Sequence, residues 1–219
     1  MYFDIHTHLS KRKTPFSISS YDVGEISFST LPVFPFSLGF HPYYLEREPT
    51  IDQKKLFVRM ATSRSCVAIG ECGLDKCVKS DWDLQIAVLR FQHKVSEDLA
   101  KPIILHLVRA WSDLFFLHKE LRPKQPWIVH GFGKNITLAK QLIDRGIYLS
   151  FGVNFSVESL RLAYYSNRLL VESDNSGLPI EQIYLSQSEA LNIPIDIYCK
   201  RVRLSISELW PSLLSPTFF

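Results

Sequence analysis

The sequence predicts an α/β fold, a TIM-type (β/α) barrel, from three observations. Short apolar runs alternate with stretches of helical periodicity, the runs stop on His, Glu or Asp, and five separate runs end this way. Alternating strands and helices imply a mainly parallel sheet, either open or closed. An open sheet gathers its site from two or three strands at a switch point, whereas a barrel gathers side chains from many strand ends. Five polar strand ends therefore favour the barrel.

The elements follow in order. Asp4-Ile5-His6-Thr7-His8 lies in the first run, near Tyr2–His8, and because side chains at i and i+2 share a strand face, His6 and His8 converge there. Further strands are expected near Phe36–Phe40, Cys66–Glu71, Ile103–His106, Trp127–His130, Ile147–Phe151 and Leu169–Ser173. Almost uninterrupted apolar runs of this kind suit parallel strands covered on both faces. Leu84, Val88, Phe91, Val95 and Leu99 form one stripe of a helix that starts near Asp81 and stops before Pro102. Helical patterning recurs at about Ser112–Glu120, Asn135–Arg145, Val157–Asn167 and Ile180–Leu191. His93 and His118 fall on these helices and read as surface residues. Seven strands are visible and an eighth is not, so the barrel is expected to be distorted or to show only seven clear strands.

Composition fits one domain over residues 1–219. Hydrophobic residues at 46% and charged residues at 21% supply a single core, and no Gly/Ser-rich linker, low-complexity tract or repeat divides the chain. No leader pattern or membrane-length apolar run is seen, so a cytoplasmic protein with no membrane association is expected. The four cysteines lack CxxC spacing and read as reduced thiols; Cys72, beside Glu71, reads as a buried thiol rather than a ligand.

A net charge of +3 allows an anionic substrate without demanding one. Lys11-Arg12-Lys13 follows His8 and reads first as a solvated loop, second as a phosphate contact. Phe34, Phe36, Phe40, Tyr43 and Tyr44 read first as packing beneath a loop, second as base-stacking rings.

Each histidine alone is a weak signal. Four of them with Glu and Asp at strand ends suit Zn²⁺, Mn²⁺, Fe²⁺ or Ni²⁺, and the set is large enough for two ions. A carboxylate is the natural bridge between two cations, and Glu71 is the choice for it. Such a centre turns water into a nucleophile near neutral pH, so no Ser or Cys nucleophile is needed.

Several ordered motifs carry a family resemblance. His6-Thr7-His8 with Asp4, Gly39-Phe40-His41-Pro42, Gly70-Glu71-Cys72-Gly73-Leu74-Asp75, Pro102-Ile103-Ile104-Leu105-His106, Val129-His130-Gly131-Phe132, Gly146 to Ser150 and Glu172-Ser173-Asp174 together resemble the signature set of TatD-type metal-dependent deoxyribonucleases, within the amidohydrolase superfamily. The match runs from residue 1 to about residue 178, and Gln85 and Gln92 resemble the family's helix glutamines. The resemblance implies a one- or two-metal centre holding divalent ions such as Zn, Mg, Mn or Ni. It implies that His6, His8 and Asp174 bind the first ion, that His106 and His130 bind the second, and that Glu71 bridges. Asp174 would also be the general base, making Asp174 and Glu71 the catalytic pair, with Glu172 within reach behind the ligands.

His41, Arg109 and Lys134 are expected at the substrate. Arg109 is displaced by one position from the family's arginine, and Lys134 adds a cation after His130. The function expected is a metal-dependent hydrolase, a deoxyribonuclease or phosphodiesterase acting on DNA or another anionic ester, with no obligate protein partner. Hydrolysis of a carboxylic ester or amide, such as an aminoacyl bond, is the enzymatic alternative, and a metal-retaining scaffold is the non-catalytic one.

Overall fold

The computed structural model describes residues 1–8, 16–26, 29 and 31–214. Its strands are β1 (Asp4–Thr7), β2 (Ser17–Asp22), β3 (Phe36–Gly39), β4 (Cys66–Asp75), β5 (Ile103–Val108), β6 (Trp127–Val129), β7 (Tyr148–Phe151) and β8 (Leu169–Val171). Its helices are α1 (Ile51–Ala61), α2 (Trp82–Leu99), α3 (Trp111–Leu121), α4 (Ile136–Ile143), α5 (Val157–Tyr165), α6 (Ile180–Leu191) and α7 (Ile195–Leu209). The backbone forms two compact units, Met1–Ser19 with Ile128–Phe219, and Ser20–Trp127.

In the first unit β1 pairs with β2, β6 with β7 and β7 with β8, all in parallel. Just past β8, Asp174 bridges Thr7 in parallel. The Asp174 N–H donates to the His6 carbonyl at 2.9 Å, and the His8 N–H donates to the Asp174 carbonyl at 3.4 Å. The first and last strands are therefore neighbours, as closing a sheet into a barrel requires. In the second unit β3 pairs with β4 and β4 with β5, again in parallel. Every residue of β4 is buried, as expected of a parallel strand covered on both faces.

The sequence reading needs three corrections here. The eighth strand exists as β2, Ser17-Ile18-Ser19-Ser20-Tyr21-Asp22. Its three serines are buried, and small hydroxyl side chains hide the strand from a search for apolar runs. Two helices were also unforeseen. In α1 the Thr50 hydroxyl accepts the Gln53 N–H while the Gln53 side chain accepts the Thr50 N–H, a capping box legible as Thr-x-x-Gln. In α7 the buried Tyr198, Val202, Ser205, Ile206 and Leu209 keep a helical stripe. Finally, His93 is buried rather than on the surface; its ring and that of half-buried His118 meet Trp127 edge-on at 5.9 and 5.2 Å.

The helix expected from Asp81 begins there. The Asp81 carboxylate accepts the Leu84 N–H at 2.9 Å, and Ala100 ends α2 in a left-handed conformation before Pro102. The five aromatics divide: Phe36 and Phe40 are buried, Phe34 is half-buried, and Tyr43 and Tyr44 are 68% and 60% exposed. Lys11, Arg12 and Lys13 lie outside the described residues. Among the described residues no helix is long and apolar enough to cross a membrane.

Candidate metal centre

In the first unit, β1 delivers His6, fully buried, and His8 follows one residue beyond the strand. Their rings stand 4.9 Å apart at 89°, and His6 lies 4.4 Å from the His130 ring, which follows β6. Asp174 Oδ1 is 3.8 Å from His6 Nε2 and 3.7 Å from His8 Nε2. Two ligands held at about 2.0–2.2 Å from one ion lie at most about 4.4 Å apart, so these spacings fit a shared cation. The backbone explains the convergence: Asp174 takes a φ of 47°, held by its pairing with His6 and His8, and this turns its side chain toward the two imidazoles.

Two carboxylates support this cluster. Buried Glu172 accepts the Gly131 N–H at 2.7 Å through Oε1, and the same oxygen is 3.4 Å from His130 Nδ1. Asp4 accepts both the N–H of Ser173 at 2.9 Å and its hydroxyl at 2.6 Å, and the Ser173 Oγ sits 3.0 Å from Thr7 Oγ1. Asp4 thus ties β1 to the segment that carries Asp174. Burial pushes its carboxyl up to about 7, against the lowering effect of the Ser173 hydrogen bonds.

The second unit has its own cluster. Glu71, on β4, places Oε1 3.0 Å from His41 Nε2 and 2.9 Å from His106 Nδ1. His41 Nδ1 accepts the Tyr43 N–H at 3.1 Å, so the ring proton sits on Nε2 and is donated to Glu71. His106 Nε2 is 3.0 Å from Asp75 Oδ2, while Asp75 Oδ1 accepts the Cys77 N–H at 2.7 Å. A carboxylate behind the far nitrogen of an imidazole is the usual way a ligating histidine is oriented. Glycines let β5 approach: a Cβ on Gly73, at φ 150°, would fall 2.0 Å from the His106 carbonyl oxygen.

The two glutamines of α2 fix this cluster's backbone. The Gln92 amide accepts the Phe40 N–H at 2.8 Å and donates to the Phe40 carbonyl at 3.2 Å, anchoring the chain just before His41. Gln85 does the same for Asp75, at 2.8 and 3.0 Å.

The structure thus brings His6, His8, His130 and Asp174 together in one unit and Glu71 and His106 together in the other. Within each unit it finds a group whose ligand atoms all lie within 4.8 Å, His6 with His130 and Asp174, and His41 with Glu71 and His106. Imidazole and carboxylate donors suit borderline and hard divalent ions. His41, expected at the substrate, is engaged with Glu71, whereas Arg109 and Lys134 are exposed. Asp75 was quoted in a motif but given no role, and nothing local in the sequence reveals that it faces His106. Cys72 is fully buried, its thiol 3.8 Å from the Ile104 carbonyl and its pKa raised by burial, as a structural cysteine should be.

Parallel βα units with histidine and carboxylate groups at the strand ends define a class of α/β barrel proteins built to hold divalent cations. The chain belongs to one family of that class: the family model described as TatD related DNase matches residues 22–179. It is similar to an uncharacterized metal-dependent hydrolase, YcfH, of Escherichia coli (strain K12), at 34% identity over 151 residues, 65% of this chain and 56% of the relative. An uncharacterized metal-dependent hydrolase of Buchnera aphidicola subsp. Baizongia pistaciae (strain Bp) is 29% identical over 151 residues, with the same shares covered. The match therefore spans little more than half the length of these relatives. Among solved structures, YJJV, a TATD homolog from Escherichia coli K12, aligns with a TM-score of 0.76 at 20% identity, over 96% of this chain and 98% of that one. A TatD family hydrolase from Entamoeba histolytica aligns with a TM-score of 0.65 at 20% identity, over 81% and 75%. These likenesses show the fold, the TIM-type barrel that the sequence predicts.

Proposed function

We propose that this protein is a metal-dependent hydrolase that cleaves phosphodiester bonds of DNA. The observation that carries the reading is the presence, in each unit, of histidine nitrogens and a carboxylate oxygen within 4.8 Å of one another. His6, His8, His130 and Asp174 would hold a cation in one unit, and Glu71 and His106 in the other. Bound divalent cations supply two things, a Lewis acid for the phosphoryl oxygen and a water of lowered pKa.

The chain's own residues do the rest. Asp174, with a side chain 39% exposed, is open enough to meet solvent and accepts the proton of the attacking water. Asp75 and Glu172 hold His106 and His130 in place. Arg109 and Lys134, both exposed, carry positive charge for the anionic substrate. The family description, TatD related DNase, supports DNA as the substrate class.

The test is metal analysis of the purified protein followed by assays on single-stranded DNA, a chromogenic phosphodiester and an aminoacyl ester, with Mg²⁺, Mn²⁺ or Zn²⁺. One or two divalent ions per chain and phosphodiester cleavage lost in Glu71→Gln are expected. Cleavage of the aminoacyl ester alone would replace the substrate, and unaltered turnover in Glu71→Gln would overturn the mechanism. The sharing of Glu71 between two ions, which the resemblance implies, is tested separately by spin coupling in the electron paramagnetic resonance of the Mn²⁺-loaded protein.

A further inference from the structure

In the first unit, the Glu172 side chain begins on one strand and ends beside another that is two places away. Its own N–H continues the pairing of β8 with β7 by donating to the Phe151 carbonyl at 3.2 Å. Its Oε1, however, accepts the Gly131 N–H and faces His130, both just past β6. Because β6 pairs with β7 and β7 with β8, β7 stands between, and the side chain crosses its face. Two observations locate the crossing. A Cβ on Gly152 would lie 3.8 Å from the Glu172 Cγ, so the chain passes close over that glycine. Ser150 shares the same face, since it pairs with Leu170, two residues before Glu172, and the pairing of Val129 with Leu149 sets His130 beside it. The arm thus runs over two small residues.

Both ends of this crossing hold a polar atom in need of a partner. Glu172 and Ser150 are fully buried, and among the described residues neither Glu172 Oε2 nor Ser150 Oγ has a hydrogen-bond partner. A carboxylate oxygen needs a donor and a hydroxyl has one to give, so the two atoms are chemically complementary. They share one strand face without bonding to each other, the setting in which a single buried water joins two polar groups. The floor beneath them is held in place. Gln187, fully buried on α6, donates its amide to the Phe151 and Gly152 carbonyls at 3.0 Å each, and its carbonyl accepts the Tyr198 hydroxyl at 2.6 Å.

We propose that Ser150 is a positioning residue for the cation site at His130: its hydroxyl and Glu172 Oε2 hold one buried water between them, and this tie steadies the carboxylate behind the imidazole. Glu172 Oε1 is bonded to the Gly131 N–H at 2.7 Å and lies farther, at 3.4 Å, from His130 Nδ1. One anchored oxygen leaves the carboxylate free to turn about that anchor. Fixing the second oxygen sets the plane of the group and with it the direction in which it meets the ring. The proposal rests on the cation reading above and adds to it the residue that keeps His130 aimed.

The test joins crystallography to metal titration. A crystal structure of the wild-type protein should show a water within hydrogen-bonding distance of both Ser150 Oγ and Glu172 Oε2, and the Ser150→Ala structure should lack it. In isothermal titration with Mn²⁺, Ser150→Ala should bind about tenfold more weakly than wild type, the lower end of the loss seen when a group behind a metal-bound imidazole is removed. Adding Ser150→Ala to Glu172→Ala should weaken binding no further, because the serine acts through that carboxylate. A folded Ser150→Ala protein with wild-type Mn²⁺ affinity overturns the proposal, as do fully additive losses in the double variant. Wild-type protein that binds Mn²⁺ yet holds no water at Ser150 refutes this proposal alone. If wild-type protein binds no divalent ion, the functional reading falls and the positioning role with it.

Discussion

Asp75 Oδ2 lies 3.0 Å from His106 Nε2, while the opposite nitrogen of the same ring lies 2.9 Å from Glu71. Asp75 is therefore the residue that points His106 toward Glu71. Removing such a partner lowers metal affinity by roughly 10- to 100-fold in other proteins. Asp75→Asn should weaken divalent-ion binding to that extent in isothermal titration, with the fold kept because the amide oxygen can still accept the Cys77 N–H. Unchanged affinity would reduce Asp75 to a turn residue.

The Gln92 amide supplies both partners of the buried Phe40 peptide. Gln92→Ala leaves a buried N–H and carbonyl without those bonds, at a cost of about 1–3 kcal/mol. Urea denaturation should show the midpoint falling with an unchanged slope. A loss well below this range would mean that water enters and replaces the amide.

His93 gives a pH dependence with a definite sign. Burial holds its imidazole below the ordinary 6.5, opposed by Glu97, and its ring packs against Trp127. The unfolded chain then binds the proton more readily than the folded one, so stability from this residue is full above the unfolded pKa, begins to be lost as pH falls below about 6.5 and goes on falling through the lower folded value. The gap in melting temperature between wild type and His93→Phe should change in the variant's favour on going from about pH 8 to about pH 5. A gap that stays constant across that range refutes the account.

The thiols should differ in reactivity. Burial pushes Cys66 up to about 11, whereas Cys77 is exposed. Near pH 8, a disulfide reagent should modify Cys77 first, Cys199 more slowly because it is partly covered, and Cys66 only after unfolding. Mass mapping of the labelled peptides reads the order directly, and early labelling of Cys66 would contradict the packing around it.

What could be read in the sequence follows from which interactions are local. The β4, β5, β7 and β8 runs announce themselves because burial on both faces writes an apolar pattern, whereas the α2 stripe marks the helix but not its buried face: of Leu84, Val88, Phe91, Val95 and Leu99 only Val88 and Val95 are buried, with Gln85, Leu89, Gln92, His93 and Ser96 beside them. The ligand-type residues were visible for the same reason, each standing at the end of such a run. β2 was not visible: Ser17, Ser19 and Ser20 are buried through close packing that no hydropathy pattern records. His93 reads as surface on a helical wheel and is buried because Trp127 reaches it from 34 residues further along. Asp75 and Gln92 act on partners 31 and 52 residues away, so their roles needed the tertiary structure.

The backbone seam between Thr7 and Asp174 joins residues 167 apart, whereas Glu71 lies 30 residues from His41 and Asp75 lies 31 from His106. The order of synthesis is therefore written into the two clusters. A chain emerging from the ribosome can assemble the Glu71 group once residues near 106 are out, but His6 and His8 must wait for the strand that brings Asp174. Until that seam closes, His6, which is buried in the folded chain, lacks the segment that covers it.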